Sequence, residues 1–168
     1  MKIKGWIRAG LGIVLVVLMG IPVSGAWHTE VADNGGYVGW YTSLALDSQD
    51  QPRISYFDLT NQDLKYAWKD TGGWMRMTVD SEGVVGQYTS LALDSQNRMY
   101  ISYINMSDGS LKYAAWTGVI TLDKTGTVGT YTSLALDSHD LPHISYFGPV
   151  VEAPRTSETG RARPGTSG

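Results

Sequence analysis

The chain has 168 residues, 13 basic and 16 acidic side chains and no cysteine. That is room for one ordinary domain, and it excludes a disulfide framework, a zinc–thiolate centre and a lipid-modified N-terminal cysteine. Residues 27–147 carry 7 basic and 14 acidic residues, a net −7, and an acidic body repels phosphate backbones, which argues against a nucleic-acid partner.

Residues 1–26 carry the pattern of a secretory signal. Lys2, Lys4 and Arg8 form a positive start, Leu11 to Met19 an apolar core, and Val23-Ser24-Gly25-Ala26 a small-residue site for cleavage after Gly25 or Ala26. The expected location is secreted or cell-surface. The apolar run from Leu11 to Val23 is 13 residues, short of the roughly 20 a spanning helix needs. Membrane attachment is expected only through an uncleaved leader.

The octapeptide Tyr-Thr-Ser-Leu-Ala-Leu-Asp-Ser then occurs three times unchanged, from Tyr41, Tyr88 and Tyr131, at spacings of 47 and 43 residues. A fixed period of this length marks stacked supersecondary units. Within the first copy, Thr42, Leu44 and Leu46 alternate with Ser43 and Ala45, the period of two that a strand requires. Tyr41 to Asp47, Arg53 to Asp58, Leu64 to Trp68 and Trp74 to Asp80 read as four strands, separated by polar and glycine-containing turns. Before them, Trp27 to Asp33 aligns with Trp74 to Asp80 and reads as the last strand of a preceding unit.

Four antiparallel strands per period of about 45 residues is the blade of a β-propeller. The expected fold is therefore all-β: one outer strand (27–33), a blade (41–80), a second blade (88–123) and a half blade (131–147). The third copy stops after Phe147, and residues 148–168 carry no aromatic residue and no alternation, so they read as a disordered tail. About two and a half blades are too few for a ring, which requires at least about four. This predicts either a truncated or frame-shifted piece of a longer propeller, or a short chain that closes by self-association through exposed strand edges.

The repeated Tyr-Thr-Ser-Leu-Ala-Leu-Asp-Ser, Pro-x-Ile-Ser-Tyr and Leu-Lys-Tyr-Ala segments resemble repeats of secreted bacterial and archaeal β-propellers, grouped with the sialidase-like Asp-box (BNR) proteins. The resemblance spans about Trp27 to Phe147. Asp70-Thr71-Gly72-Gly73-Trp74 sits where that family carries its Asp box, without the leading Ser/Thr and without the Thr before the Trp. The box is structural in that family. The resemblance implies a non-catalytic scaffold or binding module for glycans or surface polymers. Alternatively, it implies part of a sialidase-like hydrolase or a lyase whose catalytic residues lie in blades this chain lacks. A sialidase needs three arginines converging on a carboxylate, and the repeat region has only Arg53, Arg76 and Arg98, so no catalytic residue is assigned.

Binding is expected where the copies differ: Trp40 against Gln87 and Thr130, and Arg53 against Tyr100 and His143. The recurring Tyr41, Tyr88 and Tyr131 read either as a ring of ligand contacts or as packing between blades. Asp47, Asp94 and Asp137 read as turn-fixing acceptors. His139 and His143 flank a turn and His28 stands alone, a poor zinc set. No cofactor is expected. Calcium is the conceivable exception, in the oxygen-rich loops Asp58 to Asp63 and Asn105 to Gly109.

Overall fold

The computed structural model describes residues 13–17 and 28–149. Those residues form twelve strands: β1 (Ile13–Val17), β2 (His28–Asp33), β3 (Val38–Leu46), β4 (Pro52–Asp58), β5 (Asp63–Asp70), β6 (Gly73–Asp80), β7 (Val85–Leu93), β8 (Met99–Asn105), β9 (Ser110–Ala115), β10 (Gly118–Asp123), β11 (Thr130–Leu136) and β12 (Pro142–Phe147). They make two four-stranded antiparallel sheets, β3-β4-β5-β6 and β7-β8-β9-β10, and two half sheets, β1-β2 and β11-β12. The four-strand unit is as expected. The sheets do not close on themselves, so the described residues form an open array and not a ring. No helix among them is long and apolar enough to cross a membrane.

The first strand of each unit starts earlier than its alternation suggests, at Val38 and Val85 in the two full sheets. A glycine and a bulge make the extension. Trp40 pairs with Phe57 and Ser43 with Ser55, so Tyr41 and Thr42 together oppose the single residue Tyr56. The same irregularity recurs between Gln87 and Ser90 and between Thr130 and Ser133. A β-bulge of this kind bends the strand and re-aims a side chain. Just ahead of it, Gly86 runs at φ +101, and a Cβ there would stand 2.7 Å from Leu64 Cα of the preceding sheet. Only glycine lets neighbouring sheets approach so closely.

The core lies between sheets. Leu64 and Tyr66 of the first full sheet pack with Val85, Leu91, Ile101, Tyr103 and Ala114 of the second, with Trp68, Val79 and Met99 around them. Ala32 of β2 packs in the same way on Val38, Ile54, Tyr56 and Ala67. β2 therefore packs on the first full sheet as Val79 of β6 packs on the second.

β1 completes that likeness. Ile13 pairs with Asp33, Val14 with Val31 and Leu15 with Glu30, with a register shift after Ile13. In the first full sheet Leu64 pairs with Asp80, Lys65 with Thr78 and Tyr66 with Met77, with the shift after Leu64. β1 thus takes the third-strand position beside β2, in the same register. The rest of the expected leader lies outside the described residues, as does the expected tail from residue 150 onward.

Each joint between sheets is pinned by one carboxylate. Asp80, at the end of β6, accepts hydrogen bonds from Tyr103 Oη (2.7 Å) and Lys112 Nζ of the next sheet. Asp33 accepts them from Tyr56 Oη (2.7 Å) and Lys65 Nζ (2.9 Å). Burial pulls both carboxyls upward, but the donated bonds outweigh it and hold them below the ordinary carboxylate range. Burial and the facing carboxylate push the Tyr56 and Tyr103 hydroxyls far up, so both remain protonated donors.

Candidate functional site

The bulges that open β3, β7 and β11 hold Tyr41, Tyr88 and Tyr131 in the left-handed region, each at φ 53. That conformation is unusual for a bulky side chain and costs on the order of 1–3 kcal/mol per residue. The result is a ladder. The rings of Tyr41 and Tyr88 lie 4.6 Å apart between centroids and those of Tyr88 and Tyr131 5.0 Å apart, within the range of favourable aromatic pairs. Tyr41 also meets Phe57 edge-on at 6.4 Å and Trp40 at 6.5 Å.

Thr42, Thr89 and Thr132 follow the three tyrosines and line, with them, an open groove of about 220 Å³. Its walls are aromatic faces and its polar groups are hydroxyls. Thr89 Oγ1 shares a hydrogen bond with Ser55 Oγ (2.6 Å) and Thr132 Oγ1 one with Ser102 Oγ (2.7 Å), which sets those two threonines across the joints. The middle ring, Tyr88, is half-buried, while Tyr41 and Tyr131 at the two ends are exposed, Tyr131 at 75%, and Trp40 beside Tyr41 is 47% exposed. Sequence reasoning missed the threonines as site residues. The signal was there in their fixed place after each tyrosine.

The remaining candidates go elsewhere. Asp47 Oδ1 accepts the backbone N–H groups of Gln49 and Gln51, both at 2.9 Å, while its Oδ2 takes Arg53 Nη2 at 2.6 Å. Asp94 repeats this with Gln96 N and Arg98 N, and Tyr100 Oη reaches its Oδ2 at 3.2 Å. Asp137 repeats it with His139 N and Leu141 N, and His143 Nε2 stands 3.5 Å from its Oδ2. Arg53, Tyr100 and His143 differ in sequence yet face one task, supporting the turn aspartate of their own copy. They are not brought to the tyrosine ladder. Arg98 is held on the same turn and lies over the Trp116 ring at 4.8 Å. Arg76 points to Ala32 O and Asp33. The three arginines do not converge.

The oxygen-rich loops are hairpin turns whose leading acceptors, Asp58 and Asn105, are engaged. Asp58 Oδ1 takes Thr60 N at 2.9 Å and Asp58 Oδ2 takes Asn61 Nδ2 at 2.9 Å, while Asn105 Oδ1 takes Ser107 N at 2.9 Å. No group of three or more His, Asp or Glu with metal-binding geometry occurs among the described residues.

A second cleft, of about 540 Å³, opens between β6 and β9-β10 and is lined by Asp80, Glu82, Lys112, Ile120 and neighbours. Its central ion pair is the joint described above, already saturated by Tyr103 Oη and Glu82 N. That leaves the tyrosine groove as the candidate site: its Thr89 and Thr132 hydroxyls are engaged across the joints, while the Tyr41 and Tyr131 rings are exposed.

No family model matches the chain, and no curated protein matches it. Among solved structures, the chain is similar to a fucose lectin from Kordia zhangzhouensis in complex with methyl-fucoside. The match has 19% identity and a TM-score of 0.45, and covers 62% of this chain and 81% of the lectin.

Proposed function

We propose that the chain is a non-catalytic binding module for glycans or related surface polymers, acting outside the cell, with the groove along Tyr41, Tyr88 and Tyr131 as its site. The observation that carries this reading is the ladder itself: three aromatic rings in successive contact, each held at a costly backbone angle and each followed by a threonine. Sugar rings offer C–H faces that stack on aromatic rings and hydroxyls that pair with hydroxyls, and an apolar groove with a few polar groups suits such a ligand. Trp40 extends the aromatic surface at one end. The groove holds no paired carboxylates of the kind glycoside hydrolysis uses, which supports binding without turnover. The export-type leader pattern and the acidic body support an extracellular location.

Glycan-array binding of the full chain, followed by titration with the best-bound sugar, tests the reading. Binding without hydrolysis is expected, with quenching of Trp40 fluorescence. Tyr88→Ala should weaken it about tenfold, equivalent to about 1.4 kcal/mol. Retention of full affinity in Tyr88→Ala and Trp40→Ala would remove the site, and absence of any glycan ligand would remove the function.

A further inference from the structure

The two ends of the array carry matching halves of the joint that the chain makes twice internally. At each internal joint four contacts recur. A strand-one serine accepts from a leucine N–H of the next unit: Leu91 N to Ser43 Oγ at 3.0 Å, and Leu134 N to Ser90 Oγ at 3.0 Å. A strand-two serine meets a threonine: Ser55 with Thr89, and Ser102 with Thr132. An octapeptide-final serine meets a turn residue: Ser48 N to Asn97 Oδ1 at 2.8 Å, and Ser95 N to Asp140 Oδ1 at 3.0 Å. The tyrosines stack in sequence. The β11-β12 end presents Ser133, Ser145, Ser138 and Tyr131, one side of the next such joint. The β3 end presents Leu44, Thr42, Asp50 and Tyr41, the other side.

Exposure marks both ends as half-interfaces. Leu44 is 52% exposed where Leu91 and Leu134 are each 7%. Phe147 is 67% exposed where its counterparts Phe57 and Ile104 are 1% and 0%.

We propose that a second copy of this chain docks head to tail, its β3 face on the β11-β12 face of the first, and that two copies close on each other. Ser133 Oγ then receives Leu44 N of the other copy, Ser145 meets its Thr42, Ser138 its Asp50, and Tyr131 stacks on its Tyr41. β11 and β12 supply strands one and two of the sheet that spans the contact, and β2 of the other copy supplies strand four. In the full chain β1 stands in position three, its register matching that of β5. Loss of residues 1–25 or 1–26 would open that position without touching the docking faces. Each copy thus counts for three sheets. Two copies make six, inside the roughly four to eight that closed rings of such sheets use, while three copies make nine and fall outside. Closure also converts the three-tyrosine ladder into one continuous circuit and removes the exposed ends that would otherwise recruit further chains.

Sedimentation equilibrium of the full chain should give twice the 18.3 kDa of one copy. A single-chain mass, a trimer or an open series of sizes would overturn the proposal. Leu44→Arg should return the mass to one copy with near-ultraviolet circular dichroism unchanged, since that side chain is half exposed in the single chain. Persistence of the dimer in a folded Leu44→Arg variant also overturns it. As a check independent of that substitution, Thr42→Cys with Ser145→Cys, in a chain that has no other cysteine, should form a disulfide between copies under mild oxidation. Failure of this pair to cross-link in the folded protein counts against the docking as directly as a monomeric mass.

Discussion

The joint in the middle of the array and the joint at its end are built from the same residues and hold very differently. Asp80 receives Tyr103 Oη and Lys112 Nζ, and Tyr103 is fully buried. Asp123 receives Tyr146 Oη at 2.8 Å, no lysine among the described residues bonds it, and Tyr146 is 42% exposed. The lysine comes from the third strand of the following unit, and β12 is followed by none among the described residues. Burial in this chain therefore belongs to a unit's neighbours and not to the unit, as nearest-neighbour stacking requires.

The largest break in that comparison comes from removing the two carboxylates in turn. Asp80→Ala leaves a buried lysine and a buried tyrosine hydroxyl without their acceptor, which should cost about 3–5 kcal/mol. Asp123→Ala should leave the urea midpoint unchanged within error. Equal effects at the two sites would mean that the third-strand lysine contributes nothing to the joint.

Glycine substitutions sharpen the same contrast. Gly86→Ala drives a Cβ against the Leu64 backbone, whereas at Gly73 (φ +116) a Cβ meets nothing within 4 Å. Overpacking and backbone strain together should cost Gly86→Ala about 2–3 kcal/mol, and strain alone should cost Gly73→Ala about 1 kcal/mol. Differential scanning calorimetry separates the two.

Acid should weaken the joints pinned by Asp33 and Asp80. The Asp33 and Asp80 carboxyls sit below their unfolded value. The stability they contribute is complete above the unfolded pKa of about 3.9 and is lost as pH falls through the lower folded values. Urea midpoints measured from pH 6 downward should therefore drop most steeply below about pH 4. Asp80→Asn should flatten that fall, and an unchanged slope would show that other carboxyls govern it.

Much of this fold was legible because the chain says the same thing three times. The period, the alternation in Thr42 to Leu46 and the polar turns pointed to antiparallel sheets of four strands. The bulge was not legible. Nothing in Tyr-Thr-Ser announces a left-handed tyrosine, since that geometry arises when the Gly86 segment crowds against Leu64 and two residues must share one partner. The site was half visible for the same reason. The tyrosines stood out by recurrence, but whether they faced ligand or one another depended on that angle. Arg53, Tyr100 and His143 differ in chemistry yet each stands at the turn carboxylate of its own copy, a shared placement that their differing identities hid.

The smallest expected effect is also the one that links the two joints to the proposed dimer. Ser43→Ala removes the acceptor of Leu91 N and should cost about 1 kcal/mol, the ordinary net value of one hydrogen bond. It should do so at every protein concentration, because the bond lies within one chain. Ser133 has no leucine N–H partner among the described residues. Ser133→Ala should therefore leave a dilute, dissociated chain untouched and raise the dissociation constant of the dimer by about fivefold per contact, the same 1 kcal/mol read through association. A Ser133→Ala effect that is independent of concentration would place that hydroxyl in an internal contact, and the two ends of the array would then not be halves of one joint.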